Sequence, residues 1–352
     1  MRVSIVDLGT VAPETGETEA LADALATARH ADSAGFHRIW FAEHHLSAMG
    51  ASHHPELLIA AAGAQTKGIR LGSGAMLMNH YSPLKVAEMF KQLEAMYPGR
   101  IDLGMGRATA GPVIDLALQR DRRSRPVDDH DQQVLETVTW LYGAFAADHP
   151  FAARKLIPSV TSVPQTWLLG SSEKGSTLAA GLGIGYTFAG FINPIAAAHA
   201  LQKYRQQFQP HNFGLKRPRA ILAVNVSVGD TATDGERLTT SAKAYYARLR
   251  RGDSNALVPS TTQGARELSI GDRNEPITIT DGRWPRFVGG SVQQVRATLE
   301  QMIEESGADE VMVQDMIADP RERRHSHALL ADAFGLTPRC GVPDAAYQDL
   351  SL

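Results

Sequence analysis

The chain has 352 residues, 35 of them basic and 38 acidic, for a net charge of −3, with 43% hydrophobic and 21% charged residues. That near-neutral balance gives no electrostatic footprint for nucleic acid or for an anionic membrane surface. The single cysteine, Cys340, excludes an internal disulfide framework and a Cys-based zinc site. It fits a reducing, cytoplasmic setting, since the N-terminus does not read as a signal peptide and no apolar run is long enough to span a membrane.

In chain order, short apolar strands alternate with helical patterns. Residues 3–8 read as a strand and 19–34 as a helix stopped by Gly35. Residues 38–42 form the second strand, 55–65 an Ala-rich helix and 70–76 the third strand. Ser82 and Pro83 then open a helix as N-cap and first-turn proline, with Val86, Phe90, Leu93 and Tyr97 at helical spacing. Strand four is expected at 101–106, with a helix at 128–143; strand five at 166–169, with a helix at 172–181; strand six at 186–189, with a helix at 195–208. Strand seven covers 219–228 and is followed by a helix over 231–250; the Asn225-Val226-Ser227 sequon inside that strand reads as chance. Residues 251–287 show no period. Ser291 and Gln294 then form a capping box for a helix to 306, residues 310–314 make strand eight, and the tail from 338 reads as loop.

Eight strands, most followed by a helix, predict an α/β fold, a (β/α)8 TIM barrel, with an irregular excursion over 251–287 before the last βα unit. A doubly wound open sheet is the alternative. No compositional break divides residues 1–352, so a single barrel domain is expected.

In such a barrel, chemistry is sought at the C-terminal ends of the strands. The second strand runs Ile39-Trp40-Phe41-Ala42 into Glu43-His44-His45. These are either polar residues of a loop or an acid–base group at the barrel mouth, where an imidazole that titrates near neutrality can both donate and accept a proton. Adjacent residues on a strand point to opposite sides, so His44 and His45 do not readily share a metal ion, and no H-E-x-x-H motif is present. No metal site is expected. At the end of strand three, Ser73-Gly74-Ala75 is small, which suits either a flat ligand or close helix packing. Strand four ends Gly104-Met105-Gly106-Arg107; the planar fork of Arg107 suits a phosphate, or else a surface ion pair. Strand five stops at Gly170, and Ser171-Ser172 open a helix whose free N–H groups suit an anion, or are simply capped. The glycines at 181, 183 and 185 follow a helix and are no dinucleotide fingerprint. Jointly these ends suggest one phosphate pocket beside a flat floor and an imidazole.

Four stretches, "GFHRIWFAEHH", "IRLGSGAMLMNHYSPLKVAEMFKQLEAMYPGRIDLGMGRA", "LLGSSEKGSTLAAGLGIGYTFA" and "FVGGSVQQVRATLEQMIEESGADEVMV", resemble the single-chain branch of the bacterial luciferase-like flavin-dependent monooxygenases, in the family's order and over most of the chain. The resemblance implies FMN as the cofactor, reduced by a separate flavin reductase, with O2 and a small organic substrate oxygenated through a flavin hydroperoxide. It implies that His44 is catalytic, with Glu43 or His45 orienting it, and that Arg107 and the Gly170-Ser171-Ser172 turn hold the phosphate. It places a non-proline cis peptide at Gly74-Ala75 against the flavin ring, a mobile loop over 251–287 and a homodimer through the helices at 55–65 and 83–97. Two places depart from the pattern: Gly106 stands where light-emitting members carry a cysteine, and Ala108-Thr109-Ala110-Gly111 replaces the Ala-Pro-Gly common in single-chain relatives. Hydride transfer with the deazaflavin F420, a non-catalytic flavin-binding protein and a metal hydrolase remain the other readings.

Overall fold

Strands form where β-branched and aromatic residues run together between turn residues. The computed structural model describes residues 1–13, 16–107, 111–119, 122–123, 128–160, 162–211, 214–253 and 255–339. Its strands are β1 (Arg2–Asp7), β2 (Arg38–Phe41), β3 (Arg70–Ser73), β4 (Met76–Leu77), β5 (Ile101–Gly106), β6 (Gln165–Gly170), β7 (Gly185–Ala189), β8 (Ala220–Gly229), β9 (Phe287–Ser291) and β10 (Glu310–Gln314). The hydrogen-bonded order runs β10-β1-β2-β3-β5-β6-β7-β8, and β8 pairs back with β10. The result is a closed parallel barrel of eight staves, the expected (β/α)8 fold, with helices such as Glu17–Ala34, Pro83–Met96 and Pro194–Gln207 outside it. Ser291 and Gln294 make the expected reciprocal capping box. No described helix is long and apolar enough to cross a membrane.

The third strand is not continuous over 70–76. It breaks at the Gly74-Ala75 peptide, which is cis as the family resemblance implied, and resumes as β4 against β5. The excursion over 251–287 is also more regular than expected. Thr261–Glu267 and Ile270–Arg273 are short helices, capped by the Ser260 and Ser269 side chains, which accept from the N–H groups of Gln263 and Asp272. Helices this short hold too few residues to display a period. The strand β9 was missed because its sequence, FVGGS, carries two glycines, and glycine weakens a strand signal. Those glycines permit close packing instead: a Cβ on Gly235 of the helix Ala232–Arg250 would stand 2.1 Å from the Gly290 carbonyl oxygen. Residues 225–229 of β8 pair with β9, whereas 221–225 pair with β10, so β9 lies outside the closed ring. Cys340 and the rest of the tail lie outside the described residues.

Alternation sends every second side chain into the barrel. The lowest layer is ionic. Arg38 donates through Nε and Nη2 to the two oxygens of Glu310 at 2.8 and 3.2 Å, and through Nη1 to Asp102 Oδ2 at 2.6 Å. Arg70 grips Asp102 Oδ1 through Nε and Nη2 at 2.9 and 2.6 Å, and Trp40 Nε1 donates to Asp102 Oδ2 at 3.0 Å. The Ser4 hydroxyl donates to Glu310. Above this lies an apolar layer of Val6, Trp40, Trp167, Ile221, Ala223 and Met312. The Arg38 guanidinium stands 4.7 Å from the Trp167 ring centroid, and the two indoles meet edge to face at 5.7 Å. Both layers are filled, so the barrel opens only at its upper end.

Removing Arg38 would leave Glu310 and part of Asp102 buried without their cation. Arg38→Met should therefore lower the unfolding free energy in urea denaturation by about 3–5 kcal/mol. A loss below about 1 kcal/mol would mean that the carboxylates find other partners.

Candidate active site

The open end of the barrel is a cleft of about 900 Å³. Leu8, Ala42, Gly74, Gly106, Leu169 and Ala189 line it at the strand ends. At Gly74 and Gly106 the floor carries no side chain because none fits without a shift. A Cβ on Gly74 would come 2.9 Å from Val6 Cγ2 and 3.2 Å from Trp40 Cβ, and one on Gly106 would come 3.0 Å from Ala75 Cβ.

Glu43, His44 and His45 separate by alternation. Glu43, 3% exposed, is fully committed to its neighbours. Its Oε1 accepts from His45 Nε2 at 2.7 Å and from the Tyr81 hydroxyl at 2.9 Å, and its Oε2 accepts from the Leu77 N–H at 2.9 Å. The carboxylate thus ties β2 to the chain just beyond the cis peptide. His45 packs among His53, His54 and His80, with ring centroids 6.4, 6.0 and 6.2 Å away. His44 is held through its backbone: its N–H donates to the Ser52 carbonyl at 2.9 Å, and its own carbonyl pairs with His53 Nδ1 at 2.5 Å. Its Nδ1 is sealed from water without a partner among the described residues.

Glu43 and His45 bind each other, and among the described residues neither side chain hydrogen-bonds the His44 ring. One expectation is corrected. His44 does not titrate near neutrality: burial, with His45 and His53 close by, pushes its pKa down to about 4, so the imidazole is neutral at pH 7.

The third part of the cleft is the wall formed by the ends of β5 and β6. Arg107 is 47% exposed and forms an ion pair with Asp128, and Gly170, Ser171 and Ser172 line the same wall. Ser172 is the N-cap of the helix Glu173–Leu182, yet its side chain caps nothing. The turn is held from behind, where the Tyr186 hydroxyl donates to the Ser172 carbonyl at 2.9 Å and Asn193 Nδ2 to that of Ser171 at 3.3 Å. Residues 108–110, most of the departure after Arg107, lie outside the described residues.

The sequence profile of the luciferase-like monooxygenases matches residues 1–310. A luciferase-like monooxygenase of Escherichia coli (strain K12) is 34% identical over 329 residues, covering 94% of this chain and 96% of that one. The chain belongs to the luciferase-like monooxygenase family. The crystal structure of apo-MsnO8 superposes with a TM-score of 0.86 at 36% identity, covering 96% of this chain and 99% of that one. The oxygenating constituent of 3,6-diketocamphane monooxygenase from the CAM plasmid of Pseudomonas putida, solved in complex with FMN, shares the fold with a TM-score of 0.68 at 20% identity, covering 98% and 99%. As a member of a monooxygenase family the protein is an oxidoreductase.

The cleft of this luciferase-like monooxygenase has further walls that sequence reading did not anticipate. His130, Lys174, Phe191, Asn255 and Gln314 line it. Lys174 stands 3.2 Å from Asp131 at the β5–β6 wall. His130 opens the helix His130–Tyr142 with its Nδ1 buried and unpartnered among the described residues, and burial lowers its pKa. Gln314 was accessible to reasoning: counting by two from Glu310 through Met312 reaches it at the top of β10. His130 and Asn255 follow irregular segments, where no period identifies which side chain faces inward.

His44 leaves a signature on stability. Its pKa is depressed in the folded state, so the unfolded chain takes up its proton first. The stability it contributes is therefore complete above about pH 6.5 and is lost as the pH falls towards 4. Urea denaturation at pH 7.5 and 4.5 should show a smaller drop for His44→Asn than for the wild type, by up to about 2–3 kcal/mol. Equal drops would mean that His44 is protonated in the folded protein at pH 4.5.

Proposed function

We propose that the protein is a monooxygenase that uses reduced FMN, delivered by a separate flavin reductase, and O2. One oxygen atom goes to a small organic substrate and the other leaves as water. The observation that carries this reading is the meeting, in one cleft, of a flat floor at Gly74 and Gly106, a single phosphate wall at Arg107 and Ser171-Ser172, and the unpartnered imidazole of His44.

The residues present fit the cofactor. An exposed pair such as Arg107–Asp128 contributes about 0–1 kcal/mol, so Arg107 can exchange Asp128 for a phosphate that accepts two charged hydrogen bonds. The uncapped first turn after Ser172 supplies backbone donors to the same anion. The small floor at Gly74-Ala75 accommodates a planar ring system. When bound, reduced FMN supplies the two electrons that activate O2.

The chain's own contribution is positioning, dryness and proton handling. His44 Nε2 takes a proton from, or returns one to, the reacting groups at the cleft. Glu43 keeps the end of β2 in place through its three hydrogen bonds. Ala256 and Val258 pack with Leu8 and Met49 beside the cleft and help exclude water. We place a homodimer interface on the helices Pro55–Gly63 and Pro83–Met96, where Leu57 and Met96 are 65% and 50% exposed.

Anaerobic titration with reduced FMN and reduced F420, side by side, tests the cofactor. FMN should bind more tightly, and Arg107→Ala should weaken FMN by about 1.5–3 kcal/mol while leaving riboflavin unchanged. Tighter binding of F420 or FAD would overturn the assignment. For His44→Ala, FMN binding should persist while product formed per reduced FMN, measured over a panel of ketones, aldehydes and thioethers, falls about 10²–10⁴-fold. The same change at His45 should cost less, and an undiminished yield in His44→Ala would remove the imidazole from the mechanism.

A further inference from the structure

At the lower end of the barrel the last described stretch of the chain, 336–339, crosses back over the first two βα units. The helix Pro320–Ala333 ends at Phe334, and the Leu336 N–H turns back to donate to the Ala331 carbonyl at 2.9 Å. From there the backbone passes over two glycines. A Cβ on Gly35 would stand 2.5 Å from the N and C atoms of Thr337, and one on Gly68 would stand 2.3 Å from the Arg339 carbonyl oxygen. Gly35 closes the helix Glu17–Ala34 with φ 87°, which favours glycine by itself. Gly68 has no left-handed φ. The atoms nearest to its added Cβ all belong to Arg339, so the close approach of the tail is what calls for glycine there.

The seat is held together without the tail. Asp32 accepts from the N–H groups of Lys67, Gly68 and Ile69 at 2.8, 2.9 and 2.8 Å, and Arg100 donates to the Thr66 and Ile69 carbonyls, both at 3.0 Å. The end of the first helix and the loop before β3 are thus one hydrogen-bonded unit. Past the glycines, Arg339 Nη2 donates to Nδ1 of His37, which stands just before β2 and is 1% exposed. An Nδ1 that accepts leaves the ring proton on Nε2, 3.9 Å from Glu310 Oε2. The tail therefore reaches towards the same carboxylate that holds Arg38.

We infer that 336–339 is a clasp: a stretch of the chain's own tail, seated by its backbone on Gly35 and Gly68 and by the Arg339 guanidinium on His37, that binds the last βα unit to the first two. The hydrogen bonds between β10 and β1 close the ring once. The clasp closes it a second time, from the helix after β10 to the helix after β1 and the loop before β3. The receiving surface is matched to a closely approaching backbone and one arginine, and its occupant is this chain itself, whichever cofactor the cleft takes.

Hydrogen exchange and urea unfolding of the full chain test it. In Gly68→Ala the added methyl meets the Arg339 carbonyl, so the unfolding rate should rise about 10-fold. The amides of 336–339 and of the helix Pro320–Ala333 should exchange faster, while those of β3 stay protected. Arg339→Met should act in the same direction. Together the two changes should raise the unfolding rate by less than the product of their separate factors, because either one lifts the same clasp. Faster exchange confined to 66–69 in Gly68→Ala would mean that the loop needs its glycine for itself and would overturn the proposal, as would independent effects in the double variant. If Gly68→Ala does not fold, Arg339→Met decides alone: unchanged exchange at 336–339 overturns the clasp, and faster exchange there with β3 protected supports it.

Discussion

The cleft depends on an interaction at the opposite end of the barrel, the capture of Arg38 by Glu310 and Asp102. Each carboxylate comes from a different strand, and Asp102 also binds Arg70 and Trp40. Charges so far from water are tolerated only with complete partners in good geometry, so these contacts admit little slippage of β2, β3, β5 and β10 past one another. A shift of one residue would turn every side chain on a strand to the other face. The heights at which Gly74, Gly106 and Gln314 reach the opening therefore follow from ion pairs at the base.

Between the ionic base and the opening, Trp40 and Trp167 fill the interior and carry the floor. The small residues above them leave room that an indole or a leucine would have taken. The polar groups of the cleft are then distributed unevenly: Arg107 and Lys174 at the β5–β6 wall, His44 and His45 after β2, and the Gln314 carboxamide on β10. A ligand with one anionic end and one flat end matches the first two regions, and the third faces whatever shares the cleft with it.

Much of this was legible in the sequence. Parallel strands buried on both faces are continuous apolar runs, so the eight staves could be counted, and reading their ends located Glu43, His44, Arg107 and Ser171-Ser172. Period-two alternation also separated His44 from His45. The partner of Glu43 was not legible, because Leu77 and Tyr81 reach it only after the chain turns at Gly74-Ala75. The depressed pKa of His44 was equally hidden, since it comes chiefly from burial, with His45 and His53 adding to it. β9 escaped notice because close packing favoured glycines where a strand signal would need β-branched residues.

The ten-residue strand β8 serves two partners, β10 along its lower half and β9 along its upper half. Ring closure uses only the lower half. The segment between the helix Ala232–Arg250 and β9 therefore rejoins the fold outside the closed ring, where β9 pairs with the upper half of β8. Insertions or deletions there alter the covering of the cleft without disturbing the hydrogen bonds that close the barrel. This is the place where a lineage can remodel what the enzyme accepts while the scaffold stays constant, and where a graft from one relative to another would be tolerated.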